Sequence, residues 1–256
     1  MLSVFPLEIE ETILDFLAED DEGHSTMKTC SLVCQAFLPI CRKHIFRRIV
    51  LNNYNVVSSP ATHVFIRLLH ETPEIADYIR ELDYTILIAD FTILSIQESL
   101  ALKKISRLKF LTVRTTIGLS WSSNPIRPAL LHLLHLPTLT HFKVVNIIDF
   151  IVSDLIPCIN LKYLNIGTRT TGADETTFPA ALPENSIQPN EFVAGIRTTT
   201  VIMKLCNAQR LDGRPIIDFG SLSKITVALE KPDEGEASQE LLRRCHALTN
   251  VDISCK

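Results

Sequence analysis

One short apolar pattern recurs along most of this chain, and it limits what the chain can become. An apolar residue is followed by others at offsets 3, 6 and 8. The pattern reads Ile105, Leu108, Leu111, Val113, then Leu136, Leu139, Phe142, Val144, then Cys158, Leu161, Leu164, Ile166. Further copies are Phe219, Leu222, Ile225, Val227 and Cys245, Leu248, Val251, Ile253, with weaker ones at Ala76, Ile79, Leu82, Tyr84 and at Pro189, Phe192, Ala194. Phe46, Ile49 and Leu51 fit the last three positions. Successive copies lie 22 to 33 residues apart, and self-similarity at that period marks stacked units. The last two residues of each copy are two apart, the spacing of a short strand with one buried face.

The segments between copies carry helical signals. Pro128, Ala129, Leu130, Leu131, Leu133 and Leu134 form an apolar stripe with proline at a helix start. Leu241, Leu242 and Cys245 repeat it, with Ser238 as the expected cap, and Thr72-Pro73-Glu74-Ile75 reads as a cap followed by proline in the first turn. Asp149 and Asp154 fall on the exposed side of another apolar helix. One strand and one helix cannot bury both faces alone, so neighbours must stack. The expected fold is an α+β, α–β solenoid of about seven units over residues 46–256, each with a short parallel strand and a helix. Residues 170–190, rich in Thr, Pro, Asn and Ala, read as a polar irregular insertion, and Glu230 to Glu236 as a solvated acidic turn.

Residues 1–45 follow another period. Ile9, Ile13, Leu14 and Leu17 recur at helical spacing after Phe5-Pro6-Leu7-Glu8. A second helix runs through Cys30, Leu32, Val33, Cys34 and Phe37, and a third from Ile40 to Phe46. Three short helices bury little area and need something to dock on.

Phe5-Pro6-Leu7-Glu8-Ile9, then Ile13-Leu14 and Phe16-Leu17, then Cys30-Ser31-Leu32-Val33-Cys34-Gln35-Ala36-Phe37, resemble an F-box. Phe5 stands where the family has Leu, and the polar connecting segment Glu19 to Thr29 is longer than usual. The downstream pattern is similar to degenerate leucine-rich repeats, and the combination looks like the F-box proteins of mushroom-forming fungi. The resemblance implies a non-catalytic substrate adaptor of a Skp–cullin–F-box ubiquitin ligase. Its helices would bind the Skp linker, and through it a cullin, while its repeats hold a target protein. Carried over, the linker-facing residues would be Phe5, Pro6, Ile9, Ile13, Leu14, Val33, Cys34 and Phe37. The alternative is a leucine-rich-repeat interaction scaffold that does not act in a ligase. Target-facing residues would be those that alternate outward on the strands, such as Lys109, Thr112, Lys143, Lys162, Asn165 and Lys224, together with Trp121 in the polar loop Ser120–Asn124.

Composition narrows the other classes. Hydrophobic residues make up 46% and charged residues 21% of 256 positions, enough for a core and against a disordered chain. A net charge of −4 supplies no global basic field for nucleic acid or an anionic membrane. Seven scattered cysteines and no basic-then-apolar leader point to a reduced compartment, cytoplasmic or nuclear. The longest uncharged apolar stretch, Pro128 to Phe142, carries three histidines and two prolines, which argues against a membrane span. Cys30, Cys34, Cys41 and His44 fit no common zinc spacing, and Pro39 interrupts their helix. His132, His135 and His141 have no nearby carboxylate in sequence, and no phosphate loop, nucleophile elbow or His-Glu-x-x-His is present, so neither cofactor nor metal is expected.

Overall fold

The computed structural model describes residues 6–19, 23–51, 60–86, 93–174, 185–209 and 213–255. Phe5 and residues 175–184 of the polar insertion lie outside them. Among the described residues eight parallel strands form one sheet in which spatial order follows chain order. They are β1 (Arg48–Leu51), β2 (Glu81–Ile86), β3 (Phe110–Ser120), β4 (His141–Ile148), β5 (Tyr163–Ile166), β6 (Glu191–Ala194), β7 (Lys224–Leu229) and β8 (Asn250–Cys255).

The apolar pattern sets the register. Ile49, Leu82, Leu111, Phe142, Leu164, Phe192, Ile225 and Val251 are successive partners across the sheet. Leu51, Tyr84, Val113, Val144, Ile166, Ala194, Val227 and Ile253 form the second row. From β2 to β7 both rows are 0–2% exposed, and each large side chain so buried contributes about 1.5–3 kcal/mol. On β8 the same rows emerge, with Val251 and Ile253 each 49% exposed.

Backbone hydrogen bonds repeat the register at the strand starts. The Arg47 carbonyl accepts from Arg80 and Glu81, that of Arg80 from Lys109 and Phe110, and that of Lys109 from Thr140 and His141, at 2.8–3.0 Å. The series continues through Thr140, Lys162, Asn190 and Ser223. Because two successive N–H groups share one carbonyl, two successive side chains leave the core at each start.

The crossovers are α4 (Pro60–Glu71) with a 3-10 turn Pro73–Tyr78, α5 (Ile93–Leu102), α6 (Arg127–Leu134), α7 (Thr199–Asn207) and α8 (Pro232–Arg243), preceded in the chain by α1 (Leu7–Ala18), α2 (Gly23–Val33) and α3 (Phe37–Ile45). The expected helix per unit fails between β4 and β5, where only a 3-10 turn, Val152–Leu155, forms and Pro157 blocks its extension. Asp149 is therefore not helical; it sits at φ 55 just past β4. Ser238 is no cap either. It lies inside α8, donating to the Glu234 carbonyl at 2.7 Å. The expected acidic turn is the start of that helix, because Pro232 presets the first turn and Asp233 and Glu234 suit its positive end.

The first three helices hold a separate small core of Leu14, Met27, Ile40 and Cys41, with Leu17, Cys30, Phe37 and Ile45 packed against it. Part of the polar connector is helical, since α2 starts at Gly23, where a Cβ would run into the Ala18 carbonyl. The second helix ends at Val33, and Phe37 opens α3 instead, with Pro39 in its first turn, where no intrahelical N–H is lost. His44 and Lys43 on α3 reach Asp15 on α1 at 2.7 and 3.4 Å. Burial opposes ionisation of Asp15, but the His44 hydrogen bond and the Lys43 charge outweigh it and hold the carboxyl below its ordinary value. Among the described residues no helix is long and apolar enough to cross a membrane.

Tyr84 brings a hydroxyl into the inner row, where it bonds the Glu98 carboxylate of α5. Burial pushes the Glu98 carboxyl above its ordinary value of 4.5, against the pull of that bond. The folded chain then holds this proton more tightly than the unfolded one. Its contribution to stability is full below pH 4.5 and is lost as pH rises through the raised value. Glu98→Gln is expected to remove that loss, so its stability relative to the parent should improve from acid to neutral pH. Parallel urea-midpoint profiles for the two proteins would contradict the assignment.

Candidate binding surfaces

The helical module presents apolar side chains outward. On α1, Ile9 and Ile13 are about half exposed and Phe16 is 72% exposed. At the end of α2, Leu32 and Val33 are 87% and 73% exposed. Pro6, at the N-cap of α1, is also exposed. Four of the expected linker-facing residues, Pro6, Ile9, Ile13 and Val33, thus stand free of the module's core. Leu14 does not, because its helical position turns it into that core. Cys34 and Phe37 are half-buried, Phe37 against the core, and Phe5 lies outside the described residues. Leu32, Val33 and Phe16 are the most exposed of the set, and sequence reasoning left Leu32 and Phe16 out of it. The signal for Phe16 was present, since Ile9, Ile13 and Phe16 fall on one helical stripe.

The outer face of the sheet is the second surface. Its first outward row pairs Arg48, Glu81, Phe110, His141, Tyr163, Glu191, Lys224 and Asn250 in order. Phe110 stacks on His141 at 4.1 Å between ring centroids, and His141 on Tyr163 at 5.5 Å, each pair within 27° of parallel. His141 Nδ1 lies 2.8 Å from Thr140 Oγ1. Burial between the rings pushes the imidazole below its ordinary value, against the pull of Glu191 and Glu81. Lys224 holds Glu191 at 2.7 Å, whereas Arg47 and Arg48 approach Glu81 only to 3.8 and 4.0 Å. Arg114, two residues beyond Asp83's register partner Thr112 on β3, reaches back to donate to Asp83 at 2.5 Å. Of the residues expected to face a target, Lys109 and Lys162 are exposed, and Lys143, Thr112 and Lys224 are partly so. Asn165 is buried, its amide donating to the Tyr163 hydroxyl at 2.9 Å.

Trp121 is not a contact residue of the surface. It is 1% exposed, and its indole N–H donates to Asp154 Oδ2 at 2.6 Å. The polar loop around it conceals an aromatic that packs on Phe150 at 5.4 Å. Arg127 grips the same carboxylate with two nitrogens at 2.8–3.2 Å, and His135 Nε2 sits 2.9 Å from the Asp154 carbonyl oxygen. Cys41 is in the module's core, where burial and the nearby Cys30 push its thiol up, and His44 is engaged by Asp15. Among the described residues no group of three His, Cys, Asp or Glu could hold a metal ion.

A scan against protein-family models finds no match to this chain, and no curated protein matches it.

Proposed function

We propose that the chain is the substrate-recognition adaptor of a Skp–cullin–F-box ubiquitin ligase, working in the cytoplasm or nucleus without catalysing bond chemistry itself. On this reading residues 1–45 are the F-box that binds the Skp linker, and residues 46–256 are leucine-rich-repeat-like units that hold a target. The observation that carries it is the set of exposed apolar side chains on α1 and α2, over a module that already has its own core. Side chains of this size left in water are suited to an interface. The rival, a repeat scaffold outside any ligase, would favour these residues packed beneath the sheet's helices, and Ile9, Ile13, Phe16, Leu32 and Val33 are not.

A pull-down with the Skp linker and its cullin tests the reading. The parent chain is expected to capture both. Ile13→Asp with Val33→Asp should abolish capture while circular dichroism stays that of a folded chain, because losing even one interface anchor costs about 2 kcal/mol or more. A well-folded parent that captures neither protein would leave the scaffold.

A further inference from the structure

The strand starts place basic side chains in a row. Arg47, Arg80, Lys109 and Lys162 occupy equivalent positions just before β1, β2, β3 and β5, with the uncharged Thr140 in that place before β4, and each accepts at its carbonyl from the next unit. Adjacent strands lie about 4.8 Å apart, so the row from Arg47 to Lys162 spans roughly 19 Å. Arg48 and Arg107 flank it, and Lys143 stands beside it on the outer face of β4. In a chain of net charge −4 this concentrates positive charge at one rim. The cations feel one another: burial, the Arg107 charge and the Arg47 charge lower Arg80 below its ordinary value, against the pull of Asp77. No ion pair is found for Lys109, Lys143 or Lys162 among the described residues.

We infer that this rim is the docking site for an extended, carboxylate-rich segment of the target protein, about six residues long. The inference rests on the outer sheet face being the target surface and adds the chemistry that face selects. The cations are strung along the rim from Arg47 to Lys162 instead of converging on one point, which suits a string of single charges. A phosphate, dense in charge, needs several donors meeting at one point. Nucleic acid is disfavoured because His141 is stacked on both faces and Phe110 and Tyr163 each turn one face to it, so most of the ring area that could stack on a base is already taken. The ring edges carry the positive end of the ring quadrupole and favour carboxylate or carbonyl oxygen.

The test uses the full chain and rhodamine-labelled peptides in fluorescence anisotropy at low salt. The probes are a hexaglutamate peptide, its hexalysine counterpart, a phosphoserine peptide of equal charge and an oligouridine. Hexaglutamate is expected to bind most tightly. Its affinity should fall about tenfold in Lys109→Glu with Lys162→Glu and fall steeply with salt. Lys109→Ala with Lys162→Ala should weaken it less, and Lys28→Glu, on α2, not at all. Tighter binding of phosphopeptide or oligouridine would overturn the assignment, as would hexaglutamate affinity unchanged in a folded double variant. The same preparations are assayed for linker capture. Peptide binding without capture supports the rim and defeats the ligase reading; capture without peptide binding does the reverse.

Discussion

Replacing Asp154 with alanine is expected to lower the unfolding free energy by roughly 3–5 kcal/mol, the cost of stripping one partner from a largely buried ion pair. Its side chain is 11% exposed and holds Arg127, 25% exposed, together with the Trp121 indole. Removing the carboxylate leaves a guanidinium in a half-closed site and a buried N–H with no acceptor. Since whole domains are stable by only about 5–15 kcal/mol, the loss is a large share. The chain has one tryptophan, and it is Trp121, so its emission during urea unfolding reports on this locus directly. Asp154→Asn, which keeps an acceptor for the indole, should lose less. A midpoint unchanged in Asp154→Ala would show that the cluster is decorative.

The second large effect is expected at Glu234. Its side chain is buried at the start of α8 and closes three backbone donors: Arg197 N–H, Glu230 N–H, and Lys231 N–H at 2.9 Å. Arg197 has a positive φ, so its backbone is held in the left-handed region while its amide points at this carboxylate. Alanine there should cost about 3 kcal/mol, because three part-buried backbone donors lose a charged acceptor at once. Glutamine retains one oxygen and should recover part of the loss. Hydrogen exchange that stays slow at Arg197, Glu230 and Lys231 in Glu234→Ala would disprove this role.

What the sequence made legible was the repeated burial. Alternating apolar residues name the inward row of each strand, and identical units must meet in register if those rows are to close. That is how Leu111, Phe142 and Leu164 come to lie side by side. Polar closures were hidden for a physical reason. Asp154 finds Trp121 and Arg127 about thirty residues away, and Glu234 finds Arg197 at a similar distance; no local period encodes such pairings. A Trp among serines therefore looks exposed, and a run of glutamates looks solvated. The module at the start of the chain was half legible for another reason. α1 is apolar on more than one side, and only the positions of α2 and α3 decide that Leu14 is covered while Ile13 and Phe16 are bare.

The sequential order of the strands has a consequence for how the chain is made. Each strand meets only the one synthesised just before it and the one synthesised just after, so the bonds that build the sheet join residues some twenty to thirty-five positions apart. Among the described residues loop closure is short, and no strand pairing waits for the far end of the chain. A ribosome releasing the polypeptide can therefore leave a growing stack behind it, each new unit seated on a finished surface as it emerges.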